Sequence, residues 1–253
     1  MQIDLKGKVA VVTGATGELG RVMVRTLAGC GADVAIHYLR NRERAEMLLA
    51  EVQALGVRGM IVQADITDQP SVLAMQAAIV GTLGDPAIIV NNAVSQYNWT
   101  SVLEQDPADY ESQFRSCVLH NVFMIKAFVP AMISRGWGRV IGINTECSMQ
   151  AAQSQSAYVS GKRGMDGVLR VLAKEIGEHA ITVNQVAPGW TVSDKYRQDG
   201  TERNVEYEKN VPLKRRGEDQ EIANVVAFLA SDLASFITGA YIPVCGGNVM
   251  PTI

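Results

Sequence analysis

Histidine and cysteine are scarce in this chain. Its 253 residues include three histidines (His37, His120, His179) and four cysteines (Cys30, Cys117, Cys147, Cys245). The histidines lie far apart, and no two cysteines form a C-x-x-C pair. The common metal-binding spacings are therefore missing, and no metal site is expected. Four reduced thiols in a cytoplasmic protein are the expectation. No uninterrupted apolar run is long enough to cross a bilayer, so no membrane partner is expected. The opening "MQIDLKGKVAVVTGATG" shows no basic leader followed by a long apolar stretch, and no signal peptide is read. A surplus of one charge is also missing. With 23 basic and 26 acidic residues the net charge is -3, too small and too mixed for a nucleic-acid partner.

What is present is alternation. Short β-branched runs such as "KVAVVTG", "ADVAIHY", "AIIVNNA", "GRVIGINT" and "AITVNQVAPG" alternate with longer helical patterns. Apolar strands separated by helices predict an α/β fold: a doubly wound parallel sheet of about seven strands with helices on both faces. A chain of 253 residues, 47% hydrophobic, suits one large domain, read as residues 1–253. One long polar stretch, residues 191–217, contains "DKYRQDGTERNVEYEKN". Open α/β sheets bind ligands beyond the carboxyl ends of their strands, and this stretch follows one. It is expected to be a mobile substrate lid with a helical piece. Its Lys195, Arg197, Glu202, Arg203 and Glu206 hint at a polar substrate, though a solvated surface carries the same residues.

"TGATGELG" places Gly14, Gly17 and Gly20 between the first strand and first helix, with Thr16, Glu18 and Leu19 among them. Glycines here permit a tight turn and close backbone approach to a diphosphate, which the helix N-terminus attracts. The trio alone also fits an ordinary glycine-rich turn. The second strand ends "AIHYLRNRERAE", with no acidic residue at 37–39 to bind a ribose 2′-hydroxyl. Arg40, Arg42 and Arg44 follow, and a guanidinium suits a 2′-phosphate. NADP is therefore expected ahead of NAD, although the same arginines fit a solvated helix start.

"SAYVSGK" puts Tyr158 and Lys162 four residues apart, on one face of a predicted helix. A free phenol titrates near 10 and is a poor acid or base at neutral pH; a nearby ammonium favours the phenolate. The pair can serve proton transfer at a carbonyl oxygen. Taken alone, it fits a packing helix with a snorkelling lysine equally well.

The glycine loop, "NNA" at 91–93, Tyr158 and Lys162 together resemble the short-chain dehydrogenase/reductase family. The resemblance runs from "KGKVAVVTGA" to "LASFITGAYIPVCGG". Within the family the chain resembles the 3-oxoacyl carrier-protein reductase-like members. The resemblance implies a Rossmann fold and hydride transfer between a nicotinamide and a carbonyl or secondary alcohol of a small molecule. It implies that Tyr158 is the acid/base and that Lys162 tunes it and holds the nicotinamide ribose. It puts Asp65, with Ile66, beside the adenine, and Asn91, Asn92 and Ala93 on the adenine-ribose side. Pro188 and Gly189 would lie next to the nicotinamide, with Ser193 at its carboxamide. It also implies a homo-oligomer, tetramer or dimer, paired through long helices. Gly161, Gly164, Gly167 and Ala173 would permit that close approach.

Several positions depart from the family pattern. The serine expected thirteen residues before the tyrosine is Thr145, with Ser148 as its rival. A threonine hydroxyl has the same donor and acceptor capacity. The helix asparagine that holds a water near the lysine is replaced by Cys117, or by Val118 after a one-residue slip. Val94 stands where a glycine usually follows "NNA", beside the cofactor. Glu146 could bind a cationic or hydroxylated substrate, or point to solvent or an arginine. Trp190, Met149 and Trp99 are candidate substrate walls. These departures keep open a second reading, a dinucleotide-binding protein of this fold with little turnover, acting as a sensor or partner subunit.

Overall fold

The computed structural model describes residues 2–251. β1 (Val9–Val12), β2 (Asp33–Tyr38), β3 (Gly59–Gln63), β4 (Ile88–Asn91), β5 (Gly138–Ile143), β6 (Ile181–Pro188) and β7 (Tyr241–Val244) form one sheet. Their order is β3-β2-β1-β4-β5-β6-β7, and every pairing is parallel. β1, β4, β5 and β6 are buried along their whole length. That burial explains why they read as continuous apolar runs rather than alternating ones. The strand order reverses between β1 and β4, and the crevice at this switch point is where such sheets take ligands. The doubly wound α/β expectation is met.

Helices cover both faces. α1 (Glu18–Gly29), α2 (Arg42–Ala54) and α10 (Asp219–Ala230) enclose one core cluster, which includes Val12, Leu27, Ile36 and Val226. α3 (Gln69–Leu83), α5 (His120–Arg135) and α7 (Ser156–Ile176) enclose the other, which includes Val11, Ile79, Phe128 and Leu169. Sequence-local capping sets several boundaries: Asn41 accepts from Arg44 N–H at 3.0 Å and Asp68 from Ser71 N–H at 2.9 Å.

The long helical segment that starts at Pro107 is interrupted. α4 (Pro107–Gln113) passes through a π-helical turn, Phe114–Leu119, into α5. Taken as one piece, Pro107–Arg135 is long and apolar enough to span a membrane by length and composition, yet 56% of its most apolar window is buried inside the fold. It is a core helix here, packed on β4, β5 and α7.

Two of the small residues of α7 pack within the chain. A Cβ at Gly161 would come within 2.9 Å of the Gln113 carbonyl oxygen, and one at Gly164 within 2.8 Å of Val118 Cγ2. Both glycines let α7 approach α4 and the π turn inside the same chain. Gly167 alone faces open space.

Candidate active site

α7 begins at Ser156, whose hydroxyl pairs with Tyr110 Oη at 2.6 Å. The Tyr158 N–H, in the helix's unsatisfied first turn, donates to Tyr97 Oη at 2.7 Å. The Tyr158 ring stacks on Trp99 at 5.8 Å between centroids. One turn later Lys162, 3% exposed, donates from Nζ to the Ile143 carbonyl at 2.6 Å. Its ammonium lies 5.7 Å from the Tyr158 ring centre. Burial pushes the Lys162 pKa down, and Cys117 draws it back up.

The phenol itself is shifted upward, chiefly by burial and then by Cys147 and Cys117; a hydrogen bond with the Thr145 side chain pulls it back. Burial outweighs any pull from the Lys162 ammonium here. The ammonium faces the ring and the Ile143 carbonyl, so Tyr158 stays protonated, the form that donates a proton.

Thr145 follows β5. Its Oγ1 accepts from Cys147 N–H at 3.2 Å. The rival Ser148 is turned away: it donates to the Thr145 carbonyl at 2.9 Å and pairs with Tyr241 Oη at 2.7 Å. Cys117 is 1% exposed and electrostatically coupled to Lys162, and burial pushes its thiol up. Its Sγ donates to Gln113 Oε1 at 3.8 Å. Val118 faces Gly164 of α7 instead.

The glycine loop is braced from below. The backbone of Gly14 is left-handed, with φ +62°. Its N–H donates to His37 Nδ1 at 3.0 Å, so His37 carries its proton on Nε2 and donates to the Ala64 carbonyl at 3.0 Å. Asn92 Nδ2 donates to the carbonyls of Thr13 and Gly14 at 2.9 and 3.2 Å, and Ala93 N–H donates to Thr13 Oγ1 at 3.1 Å. Asn92 and Ala93 thus shape the loop from the protein side. Val94 is half-buried and packs on the second core cluster.

These residues fit a dinucleotide. Gly17 caps α1 with no side-chain hydrogen bond, so the N–H groups of its first turn stay open to an anion. A Cβ at Gly20 would overlap the Gly14 carbonyl oxygen. Asn91 Oδ1 is buried without a partner at the end of β4. No carboxylate closes the end of β2, where Leu39 and Arg40 are exposed. Thr16 is half-buried at the loop, Leu19 packs on the first core cluster, Asp65 is exposed and Ile66 is buried. Glu18 pairs with Arg21 at 2.9 Å. Gly20→Ala is expected to abolish dinucleotide binding, measured by fluorescence titration. Full-strength binding would refute the close packing of loop and helix.

Beyond the strand ends lies a cavity of about 510 Å³ that includes Tyr97, Trp99, Thr145, Tyr158, Gly189 and Trp190. Of the three predicted walls, Trp190 and Trp99 line it and Met149 does not. A Cβ at Gly189 would come within 2.6 Å of Tyr207 Oη, which keeps that position small. Pro188 ends β6, and its carbonyl accepts from Glu146 N–H at 2.9 Å. Ser193 is 6% exposed and precedes α8 (Asp194–Gln198) without capping it by its side chain.

The stretch 191–217 holds α8 and α9 (Val205–Asn210). Two of the five charges there that hinted at a polar substrate, both arginines, are spent on structure. Arg197 pairs with Asp194 and Asp219 at 3.0 and 2.8 Å, and Arg203 pairs with Glu208 at 2.6 Å. Arg216, 3% exposed, donates to the carbonyls of Trp190, Thr191, Thr201 and Glu202. Its guanidinium lies over the Trp190 and Tyr196 rings at 4.8 and 4.0 Å.

Sequence reasoning missed Tyr97, Tyr207 and Asn121. Asn121 donates to the Cys117 carbonyl at 2.6 Å and accepts from Asn91 Nδ2 at 2.7 Å. The π turn frees that carbonyl from the regular ladder, and no spacing rule reveals it.

The chain matches the family model described as Enoyl-(Acyl carrier protein) reductase over residues 14–248. It is 36% identical over 249 residues to the 3-oxoacyl-[acyl-carrier-protein] reductase FabG of Pseudomonas aeruginosa, spanning 98% of this chain and 100% of that enzyme. Among solved structures it resembles a blue fluorescent protein from a metagenomic library in complex with NADPH. The TM-score is 0.90 at 34% identity, over 98% of this chain and 100% of that one. It also resembles a 7α-hydroxysteroid dehydrogenase complexed with NADH and 7-oxo glycochenodeoxycholic acid. There the TM-score is 0.89 at 28% identity, over 99% of this chain and 97% of that one. Sequence and fold agree, and the chain belongs to the short-chain dehydrogenase/reductase family of oxidoreductases.

Proposed function

We propose that this oxidoreductase transfers a hydride between NADP(H) and a carbonyl or secondary-alcohol substrate. The observation that carries the reading is the meeting of Tyr158 and Thr145 at the wall of one cavity beyond the strand ends, with the Lys162 ammonium 5.7 Å from the Tyr158 ring centre. The nicotinamide, when bound, supplies or accepts the hydride. Tyr158 holds the proton that the carbonyl oxygen receives. Thr145 Oγ1 donates a hydrogen bond to that same oxygen. Lys162 holds a positive charge under the phenol and keeps donors free for ribose hydroxyls. Cys117, buried and un-ionised, occupies the position of the family asparagine and does not relay a proton.

The cradle that would hold the cofactor is formed by Gly14, Thr16, Gly17, Glu18, Leu19 and Gly20, with Asp65, Ile66 and Asn91 at the adenine end. Asn92 and Ala93 brace it, and Pro188, Gly189 and Ser193 close its nicotinamide end. The whole chain acts as one dinucleotide-binding and catalytic domain, with residues 191–217 as substrate lid. Preference for NADP over NAD is supported by the exposed Arg40 and the missing carboxylate at the end of β2. Nicotinamide absorbance with NADPH and NADH in turn, over a ketone panel, tests the reading. Arg40→Asp is expected to shift the ratio of kcat/KM values toward NADH by at least about tenfold. An unchanged ratio would remove Arg40 from the 2′-phosphate site.

A homo-oligomer, dimer or tetramer, is supported by Phe114 and Val171, both about half exposed, and by Leu103, which is almost fully exposed. Light scattering at micromolar concentration is expected to give a multiple of the 27.3 kDa chain mass; a monomer would refute it. A cytoplasmic location is supported by the four free thiols.

A further inference from the structure

The cavity beside Tyr158 contains a charged group that the reaction above does not use. Glu146 is 3% exposed, yet it lines the cavity. Tyr207 Oη donates to its Oε1 at 2.9 Å, and Asn248 Nδ2 donates to its Oε2 at 3.0 Å. Both donors are neutral. No lysine, arginine or histidine lines the cavity among the described residues, and no cationic side chain acts on this carboxylate. Glu146 therefore points neither to solvent nor to an arginine. Burial raises its pKa, and the hydrogen bonds from Asn248, Tyr207 and the Trp190 backbone offset it only in part.

Aromatic rings stand around it. Trp190 and Tyr207 meet edge to face at 5.6 Å, and Trp99 stacks on Tyr158. A cation beside an aromatic face is attracted by the ring quadrupole, most strongly when desolvated. A buried carboxylate without a counter-charge is costly, and a ligand cation supplies the missing partner. A plain aliphatic chain leaves the carboxylate uncompensated, and an anionic substrate is repelled by it.

We propose that Glu146 selects the substrate by anchoring a positively charged nitrogen, so that the enzyme acts on amino ketones or amino alcohols. The inference rests on the carbonyl-reductase reading and deepens it. Glu146 directly follows Thr145 in the chain, so the charged nitrogen lies a few bonds from the reacting carbon. Tyr207, on α9, donates to Glu146 and accepts from Trp190 N–H at 2.9 Å, so the lid and the anchor share one hydrogen-bonded unit.

Phenacyltrimethylammonium and its uncharged carbon isostere, neopentyl phenyl ketone, test the proposal because they differ only in nitrogen against carbon. Calorimetry on the whole chain reads their binding without turnover. The charged ketone is expected to bind at least about tenfold more tightly than the isostere. Glu146→Gln keeps the size and removes the charge, and it is expected to bring the two affinities to within about twofold. Equal affinities in the wild-type protein overturn the proposal, even if the variant fails to fold. A preference that survives Glu146→Gln overturns it as well, since the aromatic walls alone would then recognise the cation. NADPH oxidation by either ketone, and its loss in Tyr158→Phe, tests the reductase reading separately.

Discussion

Tyr158→Phe is expected to lower turnover by about 10²–10⁴-fold, the usual worth of a positioned general acid. Dinucleotide binding, followed by fluorescence titration, is expected to persist. The substitution removes one hydroxyl and leaves the ring, so stacking on Trp99 and the N–H bond to Tyr97 remain. Because burial holds the phenol protonated, the reductive direction is expected to keep its acid form throughout neutral pH. The oxidative direction needs the phenolate and is expected to accelerate as pH rises. A phenylalanine variant with wild-type turnover would remove Tyr158 from the chemistry.

The parts of this molecule legible in the sequence are those encoded locally. Strand runs, the glycine loop and the four-residue spacing of Tyr158 and Lys162 each sit within a short window. The rule that fixes each of them acts over one turn or one strand. Thr145 was found by counting back from the tyrosine, and the structure separates it from Ser148 by tying the latter to Tyr241, 93 residues away. Long-range partners were not legible. Tyr207 meets Glu146 across 61 residues and Asn248 meets it across 102. Arg197 misled because its partner Asp219 lies outside any helical spacing. The glycines of α7 misled for a related reason: a small residue signals close approach but does not say whether the neighbour is in the same chain.

Acid is expected to destabilise the fold well before the carboxylates titrate, and His120 is the principal cause. It is 1% exposed beneath the cofactor cleft, and its Nδ1 donates to the Ser116 carbonyl at 3.2 Å. Burial, followed by the neighbouring His37 and then by Lys162, lowers its pKa to about 3. The unfolded chain titrates near 6.5. Between these values the unfolded state binds the extra proton, so the stability this group contributes is full above about 6.5 and is lost as pH falls toward 3. The loss approaches about 1.4 kcal/mol for each pH unit and totals on the order of 5 kcal/mol, against a usual domain stability of about 5–15 kcal/mol. His37 is shifted in the same direction, also by burial, and adds to the loss. Urea melts between pH 6.5 and 4.5 isolate the histidines, because most carboxylates titrate below that window. His120→Phe is expected to lower the slope of stability against pH there, whatever it does to stability at pH 7. Parallel slopes for variant and wild type would refute the assignment. His37 also braces the cofactor loop. His37 can accept the Gly14 N–H only while its Nδ1 is unprotonated. The folded protein keeps this bond until the pH falls below the lowered pKa of its His37, so dinucleotide binding by the folded protein is expected to outlast the onset of destabilisation.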